Sequence, residues 1–280
     1  QQRQPAPPFT TASLQQEAAH KLGFSAQRTM RIAQALYEGH TGTGLITYMR
    51  TDAVKLSTQA VADIRAYIND KYGADHLPEQ PQQHHNQSKN TQEAHEAIRP
   101  TSVMRTPKQL ASLLGHDQLQ LYQLIWTRTV ASQMQAAIIE MLSVELAAGE
   151  TGRFQAHGKT ILEPGFLILY EETQDEADED DANEQPLPAL KVDQTLTLNA
   201  LHCEQSFTRA PPRYSEASLI KMLESHGIGR PSTYASIISV LLHREYVSLE
   251  HKQFYASDIG RIVGNFLGAH FSRYVGTAFT

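Results

Sequence analysis

The chain has 280 residues, of which 40% are hydrophobic and 19% charged, a balance typical of soluble globular proteins that excludes a wholly disordered chain. At roughly 150 residues a domain, this length predicts about two domains. No run of about 18 apolar residues occurs, so an integral membrane protein is excluded, and the N-terminus does not resemble a signal peptide. The single cysteine, Cys203, excludes an internal disulfide and favours the reducing cytoplasm. Because the first residue is Gln1, we expect a piece of a longer protein.

The formal net charge of −6 arises from one acidic run, residues 171–184, which holds nine Asp or Glu and no Lys or Arg. Without those nine carboxylates the chain would carry a charge of +3. Such a run is typical of a solvated loop, and the alternative is that it mimics nucleic acid or shields a basic groove. The mildly basic remainder is compatible with binding to phosphate.

The first 135 residues are predicted to be mainly helical. Apolar spacing indicates a helix that carries Leu14 and ends at Gly23, and N-caps at Ser25 and Ser57 predict two more. A glycine-rich break leads into an extended segment, residues 47–52. Residues 75–92 are a polar loop, and further helices follow Thr106.

The rest of the chain changes pattern twice. Alternating apolar residues predict a small antiparallel β unit at 136–210, including a strand near 196–200. Beyond it, caps at Ser215 and Ser232 predict two helices, and two strand-like runs follow at 246–255. Helix, turn, helix and hairpin is the order of a winged helix-turn-helix.

The turn between these two helices, Gly229-Arg230-Pro231-Ser232-Thr233, combines groups that bind phosphate. A helix N-terminus offers N–H groups and a partial positive charge, Arg230 adds a forked donor, and Ser232 and Thr233 add hydroxyls. A simple capped helix with a solvated arginine is the alternative. The chain contains no Walker A loop, so nothing supports ATP-driven chemistry.

Tyr48, Arg50 and Asp52 would share one face of an extended backbone, since side chains alternate along it. A tyrosine hydroxyl is a poor nucleophile near neutral pH unless a cation or a base assists it. Arg50 would neutralise charge on an attacked phosphate, and Asp52 would orient Arg50. The alternative is ordinary packing, which explains most of the 11 tyrosines.

The segment His95-Glu96-Ala97-Ile98-Arg99 is a third candidate. Acid–base or phosphate-contact roles for His95 and Arg99 stay open beside plain surface roles. A metal site with His84 and His85 has weak support, because Arg99 stands where the zinc motif HExxH needs its second histidine.

Four blocks together resemble the bacterial type IA DNA topoisomerases, in the same order. They are PPFTTASLQQEA (7–18), GLITYMRTDA (44–53), QEAHEAIRPT (92–101) and YSEASLIKMLESHGIGRPSTYASII (214–238). Met49 and the HEAIRPT block resemble topoisomerase I more than topoisomerase III. The resemblance extends from about Pro5 to the last residue.

The resemblance implies a function and site residues. Tyr48 matches the nucleophile that forms a transient 5′-phosphotyrosine, Arg50 the arginine that stabilises the attacked phosphate, and His95 a histidine beside the bound strand. Asp52 would support that site, and Arg230, Ser232 and Thr233 match contacts to the DNA backbone. Another strand passes through the break, which is then resealed without ATP, and negatively supercoiled DNA is relaxed.

The resemblance also implies missing parts. The family's Toprim domain, which carries magnesium-binding acids, lies outside these blocks, so Mg²⁺ is expected there and no metal site is expected in this chain. The partners implied are DNA, mainly single-stranded, and the Toprim and C-terminal domains of the same protein, in the cytoplasm with the nucleoid and without a membrane. We therefore expect the chain alone to be inactive.

The expected fold class is mixed α and β in several domains. A helical domain with the nucleophilic tyrosine would span 5–135, a β domain (part of the arch over the central hole) 136–211, and a truncated helical DNA-binding domain 212–280. A non-catalytic winged-helix DNA-binding module is the alternative, although it leaves residues 44–101 unexplained.

Overall fold

The computed structural model describes residues 1–39, 42–85, 95–170, 186–208 and 210–276. The acidic run at 171–184 lies outside the described residues. The fold is mixed α and β, with helices and two small antiparallel sheets. No helix within the described ranges is long and apolar enough to cross a membrane.

The N-terminal half is a body of helices, α1 to α5, spanning Thr11–Leu22, Ala26–Glu38, Thr58–Tyr72, Pro107–Leu110 and His116–Ala131. The predicted caps are confirmed, because the hydroxyls of Ser25 and Ser57 accept hydrogen bonds from N–H groups in the first turns of α2 and α3. Gly23 ends α1 in the left-handed conformation, with φ of +66°. Local sequence therefore determines where these helices begin and end.

One continuous apolar core holds this body together. It is built from all five helices and from the extended segments between them, and its fully buried members include Phe9, Leu14, Leu36, Ile68 and Ile125. We call this part of the chain, residues 5–135, the tyrosine body. Its many buried aliphatic and aromatic side chains supply the main hydrophobic stabilisation.

A three-stranded antiparallel sheet follows, in the order β1-β2-β3, with strands Gln2–Arg3, Ala137–Ala148 and Gly152–Glu163. Strands β2 and β3 form a long hairpin in which Leu142 faces Gly158 and Leu146 faces Phe154. Most residues of both strands are exposed, so the predicted alternation here marks strand pairing more than burial.

The strand predicted near residues 196–200 does not form, and that expectation was wrong. Residues 186–208 are largely exposed and contain no helix or strand. Period-two alternation favours an extended backbone, but a strand also needs a neighbour to accept and donate its hydrogen bonds. Within the described ranges, this segment has no such neighbour.

Helices α6 (Glu216–Ser225) and α7 (Tyr234–His243) and the hairpin of β4 (Val247–Glu250) and β5 (Gln253–Ala256) form a second unit, which we call the module. Ser215 caps α6 as predicted. Ser232 does not cap α7, contrary to the prediction, because α7 begins at Tyr234 after Thr233. Helices α8 (Asp258–His270) and α9 (Ser272–Val275) follow the module.

Candidate active site and nucleic-acid groove

The segment that carries Tyr48 is extended and is held from two sides. On one side, the Thr47 N–H donates to the carbonyl of Arg99 at 2.9 Å, and a single β-bridge joins Ile46 to Pro100. On the other side, the buried Thr11 hydroxyl donates to the Met49 carbonyl at 2.7 Å, and it accepts from the Thr51 N–H at 2.9 Å. These bonds fix the segment without a regular sheet.

Side chains alternate along this segment, as the sequence predicts. Met49 and Thr51 are buried, whereas Tyr48 and Arg50 are exposed and Asp52 is half-buried. The three candidate residues therefore lie on the outer face, and the buried residues between them, Met49 and Thr51, anchor that face to the body.

Tyr48 lies at the surface among aromatic rings. Its side chain is 38% exposed, its ring meets that of Tyr37 edge to face at 5.4 Å, and the His95 ring is 6.2 Å away. Its hydroxyl makes no hydrogen bond to any residue that the structure describes. The phenolic oxygen is thus accessible to a ligand.

Arg50 and Asp52 point outward but are not bonded to each other. In the described part of the chain, the Arg50 guanidinium has no salt bridge or hydrogen bond. Asp52 lies instead near the Glu224 carboxyl, whose pKa is raised by burial and further by the Asp52 charge. The predicted orienting contact from Asp52 to Arg50 is not seen, and the Arg50 donors have no acceptor among the residues that the structure describes.

Arg99 occupies a different environment from Arg50. Its guanidinium donates two hydrogen bonds to Glu96, at 2.6 and 2.9 Å. Burial alone would raise the Glu96 pKa, but these bonds and one from the Ser57 N–H hold the Glu96 pKa below its usual value. The structure places Arg99 in this pair, and its predicted contact with DNA stays a prediction.

The Gly229-to-Thr233 turn is organised by its own polar groups. The Arg230 N–H donates to the Thr233 hydroxyl at 2.8 Å, and the Arg230 carbonyl accepts from the N–H groups of Thr233 and Tyr234. The turn therefore offers fewer free N–H donors than a helix that begins at Ser232. Arg230 is exposed and also donates to the Gly229 carbonyl at 2.7 Å.

A groove of about 450 Å³ brings two of these candidates together. Arg50 lies on one wall with Gln27 and Met30 of α2, and the other wall is formed by the turn at Ser232 and by α7. The volume is that of a small-ligand cleft and suits a nucleotide unit. The structure thus places Arg50 and Ser232 around one concave surface, and Tyr48 lies two residues from Arg50 along the same extended segment.

Sequence reasoning missed most of the α7 wall. The side chains that line it are Ser232, in the turn before the helix, and Ala235, Ser236, Ser239, Val240 and His243 of α7. Ser236, Ser239 and His243 are spaced by three and four residues, as on one face of a helix, so a polar stripe in an apolar helix was the available signal.

The residues considered for a metal do not form a site. Within the described ranges, no three His, Cys, Asp or Glu side chains approach closely enough to hold an ion. His84 hydrogen-bonds to the Ser132 carbonyl at 3.0 Å through Nε2. Burial lowers the His84 pKa, which favours a neutral structural imidazole.

The geometry can support phosphoryl chemistry at one place. The exposed Tyr48 lies two residues along the chain from Arg50, which lines a nucleotide-sized groove and is unpaired within the described ranges. A guanidinium stabilises the charge that develops on an attacked phosphate, and hydroxyls such as that of Ser232 hydrogen-bond to a phosphate backbone.

The family model described as "DNA topoisomerase" matches residues 1–280, and the chain therefore belongs to the DNA topoisomerase family. It is similar to "DNA topoisomerase 1" of Xylella fastidiosa strain Temecula1, at 52% identity over 99% of the chain and 35% of that protein. The protein of the same name from Rickettsia felis is 51% identical, over 100% of the chain and 36% of its own length. The resemblance to bacterial topoisomerase I is confirmed.

Among solved structures, full-length topoisomerase I from Thermotoga maritima matches with a TM-score of 0.81 and 33% identity, over 100% of this chain and 45% of that one. The chain thus spans about a third of the length of its curated relatives. The shared fold includes the segments that carry Tyr48 and the module.

Proposed function

We propose that this chain is the strand-cleaving and DNA-binding part of a type IA topoisomerase. The observation that carries the proposal is the exposed Tyr48 two residues along the chain from Arg50, which lines the groove and has no bonded partner among the described residues. Membership of the DNA topoisomerase family supports it.

In the proposed reaction, the Tyr48 oxygen attacks a phosphorus of a single DNA strand. A bond from tyrosine to the 5′-phosphate forms, the bond to the 3′ oxygen breaks, and the proton lost by the phenol ends on the departing 3′-hydroxyl. Arg50 stabilises the charge on the phosphate during the transfer, and His95 contacts the strand nearby. Because the phosphotyrosine retains the bond energy, the 3′-hydroxyl reverses the reaction without ATP.

The bound strand would lie along the groove. Backbone phosphates would meet Arg230 and the hydroxyls of Ser232 and Thr233, and sugars and bases would lie on the apolar parts of the wall, such as Met30. Contacts to phosphate and stacking tolerate any sequence, which suits a single strand with little sequence preference.

We further propose the division into domains at 5–135, 136–211 and 212–280, and a location on the nucleoid in the cytoplasm. The Toprim domain would supply the magnesium-binding acids and other reacting groups, so the isolated chain would bind a single strand without completing turnover. Relaxation of negatively supercoiled plasmid by the isolated chain would contradict this part of the proposal.

Tyr48→Phe in the full-length protein tests the main proposal. With magnesium and a 3′-labelled single-stranded oligonucleotide, denaturing gels should show a covalent adduct for the parent protein and none for the variant. Tyr37→Phe is the matched control, because Tyr37 is 40% exposed and touches the same ring. Adducts at normal yield from Tyr48→Phe would refute the assignment.

A winged-helix DNA-binding module remains the second candidate, because α6, α7 and the β4–β5 hairpin follow that order. It predicts sequence-specific binding to duplex DNA. Titration with random and palindromic duplexes separates the two, since the main proposal predicts no preferred duplex sequence.

A further inference from the structure

The groove lies across a joint between two separately cored parts of the chain. The module has its own cluster of buried side chains, and the tyrosine body contributes two small residues to that cluster, Ala12 and Ala26. The module residues of the cluster are Ile220, Leu223, Tyr234, Ile238 and Phe254. Small side chains allow close approach, but they bury little apolar area on the body's side.

A carboxylate bridges this joint at its edge. The N–H of Ala26, the first residue of α2, donates to Glu216 Oε2 at 2.8 Å. The Ser25 hydroxyl accepts from the Arg28 N–H, and Glu216 adds a second cap to α2 from 190 positions away along the chain. Glu216 is also the first residue of α6, so its charge lies at the positive ends of two helices.

A further contact across the joint involves Glu224 near the end of α6. Burial and the like charge of Asp52 raise the Glu224 pKa, and a hydrogen bond with Gln16 of α1 lowers it. Attraction and repulsion therefore act together where α6 ends, whereas Glu216 accepts directly from the backbone of α2 where α6 begins. This position allows Glu216 to hold the two parts together.

We propose that Glu216 is a positioning residue that clasps the module to the tyrosine body and so sets how often the groove opens. This inference rests on the proposed function, in which Tyr48 holds one end of the cut strand on the body. The other end would be held by the module through Arg230, Ser232 and Thr233. The cut ends can separate only when the joint opens.

The test compares matched variants of the full-length protein. Glu216→Ala removes the clasp, and Glu216→Gln keeps an oxygen that can accept from Ala26. Asp258→Ala is the control, because Asp258 is also the first residue of a serine-capped helix, but its side chain is 95% exposed and pairs only with Arg261 of its own helix. Both acids contribute to a helix N-terminus, and only Glu216 reaches across the joint.

The width of the joint is measured between two spin labels by pulsed electron paramagnetic resonance. The labels are attached to cysteines introduced at the exposed positions Arg31 of α2 and Ser225 of α6, with other cysteines replaced. Glu216→Ala should raise the fraction of long distances at least threefold, Glu216→Gln should raise it less, and Asp258→Ala should leave it unchanged. An unchanged distribution in Glu216→Ala, or an equal change in Asp258→Ala, would overturn the proposal.

Two further measurements serve as controls for folding and for the proposed function. Circular dichroism shows whether each variant is folded, and Glu216→Gln carries the test if Glu216→Ala is not. Covalent adducts to a single-stranded oligonucleotide, measured in parallel, should still require Tyr48. Adducts that still form in Tyr48→Phe would contradict the proposed function. Unchanged distances in Glu216→Ala would contradict only the role of Glu216 as a clasp.

Discussion

Two regions of the molecule combine a tyrosine, an arginine and a carboxylate, one in the core and one at the surface. In the core, Tyr170 donates its hydroxyl proton to Glu17 at 2.7 Å and accepts from Arg128 at 3.1 Å. Arg128, only 2% exposed, also donates to the Pro7 carbonyl at 2.7 Å. Burial raises the Tyr170 pKa well above its ordinary range, so this phenol stays protonated.

At the surface, Tyr48, Arg50 and Asp52 are the same three chemical types, but they are not bonded to one another. Neither the hydroxyl of Tyr48 nor the guanidinium of Arg50 is bonded to any residue in the described ranges. The groups that satisfy one another in the core stabilise the fold, because breaking buried pairs is costly. The groups left unsatisfied at the surface can be offered to a phosphate. Environment, and not residue type, separates a structural tyrosine from one whose hydroxyl is available to a ligand.

The largest effect is expected for Arg128→Met, which tests whether the core cluster stabilises the fold. Removing the buried guanidinium leaves the Tyr170 hydroxyl and the Pro7 carbonyl without their charged donor, and the free energy of unfolding should fall by about 3–5 kcal/mol. Urea denaturation of the chain, followed by circular dichroism, measures it. Arg50→Met is the matched control and should change the unfolding free energy by less than about 0.5 kcal/mol, as exposed substitutions usually do.

Arg50→Ala tests the surface site through the rate of DNA cleavage. In the full-length protein, the rate of adduct formation should fall roughly 10²–10³-fold, the usual cost of losing one donor to a developing charge. Single-strand affinity should fall only modestly, because Arg50 is one of several contacts. Rapid-quench kinetics on an oligonucleotide separate the two quantities. An unchanged cleavage rate would make Arg50 a bystander.

Replacing each tyrosine by phenylalanine should affect a different property, stability for Tyr170 and adduct yield for Tyr48. Tyr170→Phe removes a buried hydroxyl and leaves Glu17 short of a donor, which should lower stability by about 1–3 kcal/mol with adduct yield preserved. Tyr48→Phe should do the reverse. Thermal and urea unfolding, with the adduct gel, measure both effects. Equal losses of stability in the two variants would mean that the contrast between them is false.

Arg230→Ala should give the smallest effect. A contact to the phosphate backbone weakens binding to all single strands alike and reduces the slope of log affinity against log salt by about one. Fluorescence anisotropy with several oligonucleotide sequences at several salt concentrations measures it. A loss confined to one sequence would indicate contact with a base.

Local rules predicted much of the fold. Ser25, Ser57 and Ser215 cap helices because the capping bond needs only the next three residues. The outward face of Tyr48 and Arg50 follows from the period of two along an extended backbone.

What failed depends on distant partners or on competing local bonds. The segment near 196–200 has no neighbouring strand in the described part of the chain, which alternation cannot reveal. Ser232 lost its capping role because the hydroxyl of Thr233 and the carbonyl of Arg230 bind each other's N–H groups first. The contact between Ala26 and Glu216 joins positions 190 residues apart, and no spacing rule reaches so far.

The start of α1 has a mechanical consequence. Thr11 grips the segment of Tyr48 through the carbonyl of Met49, and the next residue, Ala12, packs in the joint with the module. A pull that separates the module from the tyrosine body would act on α1 at Ala12, next to the residue that holds the Tyr48 segment. Under the proposed function, tension on a strand held at both ends would shift the phosphotyrosine relative to the 3′-hydroxyl, so resealing would depend on the load.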